Sequence, residues 1–275
     1  TVRMATGMYH PDEGSVSLYG TAPGQLVGSE RMVVGYLPQE PVLSEDLSVW
    51  ENLNFLASLN GVRLRRRKRL KELLELVELG DDRRKLVREA SGGMKRRLAL
   101  AATLTHRAPI LILDEPTAGI DPILRRRFWD HFRNLRDEGR TLIVATQYVG
   151  EAVDCDHVVL LANGSVVASG DPESLRRRAF GGDVIEITTD QAVGPLVLAE
   201  LEAFDFTRSV TAPTSRRVRM VVDDGGAAMP EALGVIERAN LTVVDSEEVI
   251  GDYDDVFVRL VEADNPEDSD VEASR

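Results

Sequence analysis

Between Ile110 and Pro122 the chain reads I-L-I-L-D-E-P-T-A-G-I-D-P, and no other stretch limits its fold as strongly. Four consecutive apolar residues followed by two carboxylates describe a strand buried on both faces. Such a strand belongs inside a parallel sheet, because crossover helices cover both of its sides. Ligands of open α/β sheets sit at the carboxyl ends of the strands, so Asp114 and Glu115 emerge where a ligand is expected. One carboxylate can hold a cation while its neighbour orients a water. That combination directs attention to phosphate chemistry elsewhere in the chain.

The flanking segments supply further strand ends and helix starts. Thr1–Thr6 followed by Gly7 reads as the last turns of a helix with its glycine cap, and Ser15–Tyr19 alternates like a short strand. Met32–Leu37 reads as a second apolar strand that delivers Gln39 at its end. Ser48-Val49-Trp50-Glu51 is a capping box. Ser91-Gly92-Gly93 precedes the helical run Lys95–Thr105, and a serine with two glycines ahead of a helix exposes unpaired N–H groups to an anion. Asp121-Pro122 supplies an N-cap and a proline at the first helical position. Leu124, Phe128, Phe132 and Leu135 follow at helical spacing. Thr141–Thr146 reads as another buried strand, with Gln147 at its carboxyl end. Two strands joined by Asn163-Gly164 form a hairpin, and Asp171-Pro172 starts a further helix. Strands alternating with helices predict a layered α/β domain with a largely parallel sheet.

Charge marks a second domain. Residues 1–180 carry 26 basic and 24 acidic residues, net +2, whereas residues 181–275 carry 7 and 22, net −15, so the negative charge of the chain belongs to the C-terminal part. The shift coincides with Gly181-Gly182, a flexible joint. Beyond it the pattern is β-α-β-β-α-β, the ferredoxin-like order. A short helix at Tyr253–Val261 follows. The expected domains are therefore 1–180, 181–263, and a disordered acidic tail at 264–275.

Several function classes are disfavoured. The apolar-rich stretch Leu98–Leu104 is far short of the roughly 20 residues a bilayer requires. The single cysteine, Cys155, excludes an internal disulfide, and His10, His106, His131 and His157 lack metal-ligand spacing. Seven of the nine residues 63–71 are basic, but Glu72, Glu75 and Glu78 follow and no aromatic residue interleaves them. A solvated helix face is expected there rather than a nucleic-acid or lipid surface.

Taken together, these residues resemble the nucleotide-binding subunit of an ATP-binding cassette (ABC) transporter over nearly all of residues 1–180. Gln39 in Y-L-P-Q matches the family's Q-loop glutamine, and Ala90–Met94 resembles the signature L-S-G-G-Q/M with its leucine replaced by alanine. Ile110–Asp114 matches the Walker B strand, Glu115 stands in the place of the general base, and Gly119-Ile120-Asp121-Pro122 resembles the D-loop. Four such pieces in the right order make a specific signal. Asp254-Asp255-Val256-Phe257-Val258-Arg259-Leu260 is similar to the ending of drug-resistance and ABC-2 exporter subunits.

The resemblance implies a P-loop NTPase-like ABC cassette with a helical subdomain, followed by a small α+β accessory domain. It implies ATP as substrate, with Mg²⁺ held by Asp114 and Gln39. Glu115 is expected to activate water and Gln147 to contact the γ-phosphate, while Ser91, Gly92, Gly93 and Asp121 complete the nucleotide site. The signature segment would cap ATP held by a second subunit in a head-to-tail dimer. A separate integral membrane permease would carry the transport path, leaving this subunit peripheral on the cytoplasmic face, with no nucleic-acid partner.

Two departures qualify that expectation. The phosphate loop G-x-x-G-x-G-K-[ST] is absent from the 275 residues, and Thr1 falls about three residues past the position of its lysine. The chain therefore reads as truncated at its N-terminus and, as written, is expected to bind ATP poorly. Gln147 replaces the switch histidine, and an amide cannot become cationic, so slower hydrolysis is expected. Two alternatives stay open: a soluble ABC-family ATPase acting on ribosomes or DNA, and a catalytically silent regulatory homologue.

Overall fold

The apolar run at Ile110 lies in the middle strand of a three-stranded parallel sheet. Its strands are β1 (Val34–Leu37), β2 (Ile110–Asp114) and β3 (Thr141–Ala145), in that spatial order. Leu111, Ile112 and Leu113 are fully excluded from solvent, as a strand covered on both faces requires. The computed structural model describes residues 2–63, 65–249 and 253–264. They form two compact units, Thr1–Gln147 and Tyr148–Arg275.

In the first unit the short helix α1 (Val2–Ala5) precedes β1, and Gly7 adopts the left-handed conformation expected of its cap. Between β1 and β2 come α2 (Val49–Leu59), α3 (Arg67–Leu76) and α4 (Gly92–Thr103). The capping box forms as expected: Ser48 Oγ accepts from Glu51 N at 3.3 Å while Glu51 Oε2 accepts from Ser48 N at 2.9 Å. Helix α5 (Pro122–Asp137) links β2 to β3 and buries Leu124, Phe128, Phe132 and Leu135. Helix α4 approaches β1 closely at Gly35, where a Cβ would lie 2.7 Å from Leu111 Cδ2 and 3.3 Å from the Thr103 carbonyl.

Three strand expectations are corrected. Residues 15–19 form no strand; Leu18 and Thr21 make a single bridge, because no neighbouring strand among the described residues offers them a ladder. Met32 and Val33 belong to a 3₁₀ segment, Gly28–Val33, rather than to β1. Strand β3 is not buried: among the described residues it pairs only with β2, and Ile143 is 43% exposed.

Two cores are seen among the described residues of the second unit. One is built on the four-stranded antiparallel sheet β7-β8-β6-β9, comprising β6 (Asp183–Thr189), β7 (Thr207–Thr214), β8 (Arg217–Val222) and β9 (Val243–Glu248). Helices α7 (Pro195–Glu202) and α8 (Gly225–Arg238) complete the β-α-β-β-α-β order. The other core joins the hairpin β4 (Val158–Ala162) and β5 (Ser165–Gly170) to α6 (Pro172–Phe180) and α9 (Tyr253–Asp264). Asn163 and Gly164 both have positive φ, as the two-residue hairpin turn demands.

The segment Asp254–Leu260 supplies the inner face of α9: Val256 and Leu260 pack with Leu160, Val167 and Leu175. Residues 148–180 thus share a compact unit with the C-terminal helix. Asp264, expected in the tail, closes α9; the rest of that tail lies outside the described residues.

Candidate nucleotide site

The parallel register brings three chain ends to one edge. Leu37 pairs with Leu113, and Asp114 pairs with Ala145, so Gln39, Asp114-Glu115 and Gln147 all leave the carboxyl edge of the sheet. Gln39 and Gln147 are exposed there, whereas Asp114 and Glu115 are half-buried. Glu115 continues the ladder by donating its backbone N–H to Ala145 O at 2.8 Å. It then turns the chain with φ +52°, an uncommon conformation for a residue with a Cβ and one found disproportionately at functional sites. Burial raises the Tyr36 phenol above its ordinary pKa, and the nearby Asp114 carboxylate adds to that shift.

Ser91 lies elsewhere, at the start of α4. It caps its own helix by accepting from Met94 N at 3.2 Å, and Ser91 and Gly92 face solvent. A Cβ on Gly92 would meet nothing within 4 Å, so an incoming anion can reach the N–H groups of this first turn. Gly93 borders the Gly119 turn: a Cβ there would sit 3.6 Å from Gly119 O. Asp121 then caps α5, accepting from Ile123 N at 3.1 Å and Leu124 N at 3.0 Å. The expected anion-facing segment Ser91–Gly93 and the D-loop-like turn Gly119–Asp121 are therefore neighbouring helix starts.

One residue to which the motif reading gives no role joins these parts. Arg96, in the second turn of α4, is 6% exposed. Its Nε donates to Glu115 O at 3.0 Å, its Nη2 to Glu115 O at 2.6 Å and to Asp114 O, and its Nη1 to Pro38 O at 2.8 Å and to Gln39 O. Burial lowers the guanidinium pKa from its ordinary value, and Asp114, Glu115 and Tyr36 act in the opposite sense. The basic run 63–71 is partly internal as well. Arg66 is 7% exposed, and Arg69 donates to Thr105 O at 2.8 Å and Leu104 O at 2.6 Å.

Among the described residues no group of three or more His, Cys, Asp or Glu side chains could hold a metal ion. A carboxylate at Asp114 and an amide oxygen at Gln39 fit Mg²⁺, which takes one or two protein oxygens and fills its octahedron with phosphate oxygens and water. They do not fit a structural zinc site, which needs four protein ligands.

A family model described as ABC transporter matches residues 1–118. The probable multidrug ABC transporter ATP-binding protein YbhF of Escherichia coli (strain K12) is 40% identical over 181 residues, covering 66% of this chain but only 31% of YbhF. The daunorubicin resistance ATP-binding protein DrrA3 of Streptomyces coeruleorubidus is 35% identical over 262 residues, 94% of this chain and 82% of that protein. A solved structure of an ATP-binding subunit of an ABC transporter superposes with a TM-score of 0.58 at 26% identity, over 66% of this chain and 75% of that one.

Proposed function

The chain belongs to the ABC transporter family of ATP-binding proteins, and from that premise we propose that it is the ATP-hydrolysing subunit of an exporter complex. The observation that supports this reading most is the convergence of Gln39, Asp114-Glu115 and Gln147 on one sheet edge, each at the end of a parallel strand. Kinship with drug-resistance proteins, one of them matched over 82% of its length, points to export.

In this reading the Glu115 carboxylate accepts a hydrogen bond from the attacking water and aligns it with the γ-phosphate. Asp114 and the Gln39 amide oxygen hold Mg²⁺, which when bound neutralises charge on the phosphate oxygens. Gln147 donates its amide N–H to a γ-phosphate oxygen, without the charge that a protonated histidine would bring. Ser91–Gly93 offer the N-terminus of α4 to the nucleotide of a second, head-to-tail subunit. Asp121 fixes the neighbouring turn through its cap on α5. Positioning and charge stabilisation supply most of the rate enhancement.

The β- and γ-phosphates also need a glycine-rich loop and its lysine, and G-x-x-G-x-G-K-[ST] does not occur in these 275 residues. The reading therefore requires that other residues of the gene product supply this loop. Among the described residues no helix is long and apolar enough to cross a membrane, so the reading also requires a separate permease, with this subunit at the cytoplasmic face.

The test is to purify the product of the complete open reading frame from its native host. Magnesium-dependent ATPase activity together with a co-purifying integral membrane protein is the expected result. Full-length protein that neither binds ATP nor retains a membrane partner overturns the proposal. Salt-sensitive RNA binding with no membrane partner would favour the ribosome- or DNA-linked alternative instead.

A further inference from the structure

Arg96 has a bonding pattern that helix packing alone does not require. A guanidinium carries five N–H donors in a rigid planar fork, and here five contacts distribute them over four backbone carbonyls: Pro38, Gln39, Asp114 and Glu115. These carbonyls come in two consecutive pairs, one just past the end of β1 and one at the end of β2. The side chain comes from α4, whose first turn is Ser91–Gly93. A single buried cation thus ties the ends of β1 and β2, which border the candidate nucleotide site, to the helix that begins at Ser91. Glu115, whose carbonyl receives two of the five contacts, also has a left-handed backbone.

We propose that Arg96 is a positioning residue: it locks the Glu115 backbone and the Gln39 turn to the helix that begins at Ser91, so that Glu115 points correctly only while α4 is seated. The inference rests on the reading of Glu115 as the group that aligns water, and it adds a route by which contacts at the α4 N-terminus reach that group. Three elements that must act together are held by one rigid fork rather than by three independent loops. Lysine cannot substitute, because one ammonium with three donors cannot span carbonyls placed for a planar fork. The same geometry explains why the charge is tolerated in a buried place: every donor has an acceptor, and two carboxylates stand nearby.

The test uses Arg96→Lys with two readouts. In the purified full-length protein, kcat for ATP is expected to fall at least tenfold while KM stays within about twofold, since a misaligned water lowers turnover without weakening nucleotide binding. In the 275-residue chain, amide hydrogen exchange is compared with that of Ile112 in the same strand. Glu115 N–H, bonded to Ala145 O, and Ala118 N–H, bonded to Glu115 O at 3.3 Å, are expected to exchange at least tenfold faster relative to Ile112. General destabilisation would accelerate all three alike.

Unchanged relative exchange overturns the clamp, and faster relative exchange with unchanged kcat overturns its role in positioning. If the wild-type full-length protein lacks ATPase activity, the functional reading fails separately and exchange alone judges the clamp. Should the variant fail to fold, the wild-type Arg96 Nε–H signal decides by NMR: protection from solvent exchange supports the clamp, and exchange at the rate of an exposed arginine refutes it.

Discussion

Removing the Arg66 side chain tests whether the basic run 63–71 is partly an internal staple. Arg66 Nε donates to Asn54 Oδ1 at 3.0 Å, Nη1 to Val62 O at 2.5 Å, and Nη2 to Asn54 O at 2.9 Å and Ser58 Oγ at 2.5 Å. Two of these partners, Asn54 and Ser58, lie in the C-terminal half of α2 and Val62 lies just beyond it, so the cation sits near the helix end that favours positive charge. Hydrogen bonds from a charged donor contribute about 1.5–3 kcal/mol each. Asn54 and Ser58 lie on exposed positions and regain water when the arginine is removed. The net loss for Arg66→Ala is therefore set at about 3 kcal/mol, well below the sum of four such bonds.

Both tryptophans, Trp50 and Trp129, lie in the first unit, so their fluorescence follows that unit alone. With a urea m-value of about 2–3 kcal/mol per M, the midpoint should drop by about 1 M or slightly more. Arg67→Ala, at an exposed neighbouring position, should change stability by less than about 0.5 kcal/mol. Equal effects for the two variants would refute the staple and return Arg66 to solvent.

Further expectations concern pH, thiol chemistry and turnover. Burial lowers the His106 pKa, outweighing its contact with Val34 O, so the unfolded chain binds more protons as pH falls below about 6.5. The urea midpoint of the first unit should accordingly decrease from pH 7.5 to pH 5.5, and His106→Gln should flatten that slope; an unaltered slope would contradict the assignment. Burial, reinforced by Asp154, Glu151 and Asp156, pushes the Cys155 thiol up to about 11. Its reaction with a disulfide reagent at pH 8 should run about two orders of magnitude slower than that of a free cysteine, and a rate like free cysteine's would show the burial to be wrong. Gln147→His in the full-length protein should raise ATP turnover, because a protonated imidazole adds a charge-assisted contact to the γ-phosphate. Unchanged turnover with intact ATP binding would remove that role.

Much of the site was legible because its residues sit at fixed offsets from regular elements. Asp114-Glu115 follows four apolar residues, Ser91 precedes a helix, and Asp121 precedes a proline; each position follows from strand burial or capping chemistry visible within a few residues. Arg96 was not legible, since its partners are carbonyls up to 58 residues away and carbonyls leave no mark in a sequence. Arg66 was hidden for a related reason: a basic run looks alike whether its members point to water or back onto a helix end. The exposure of β3 was misread because the apolar residues that suit a central strand also suit one paired on a single side. In the second unit the strand order followed the hydrophobic pattern, but α9 was harder to place. Its buried Val256 and Leu260 pack against the hairpin core rather than the four-stranded sheet, and helical spacing does not name the partner.

The account rests on Glu115 as the group that aligns water, and Glu115→Gln tests it most directly. The amide keeps the shape of the side chain but loses its basicity, and general-base catalysis is worth about 10²–10⁴ in rate. Steady-state ATPase activity of the full-length protein should fall at least 100-fold while equilibrium ATP binding is retained. Turnover within about twofold of wild type would contradict the account, because removing a group that aligns the attacking water must cost far more than that.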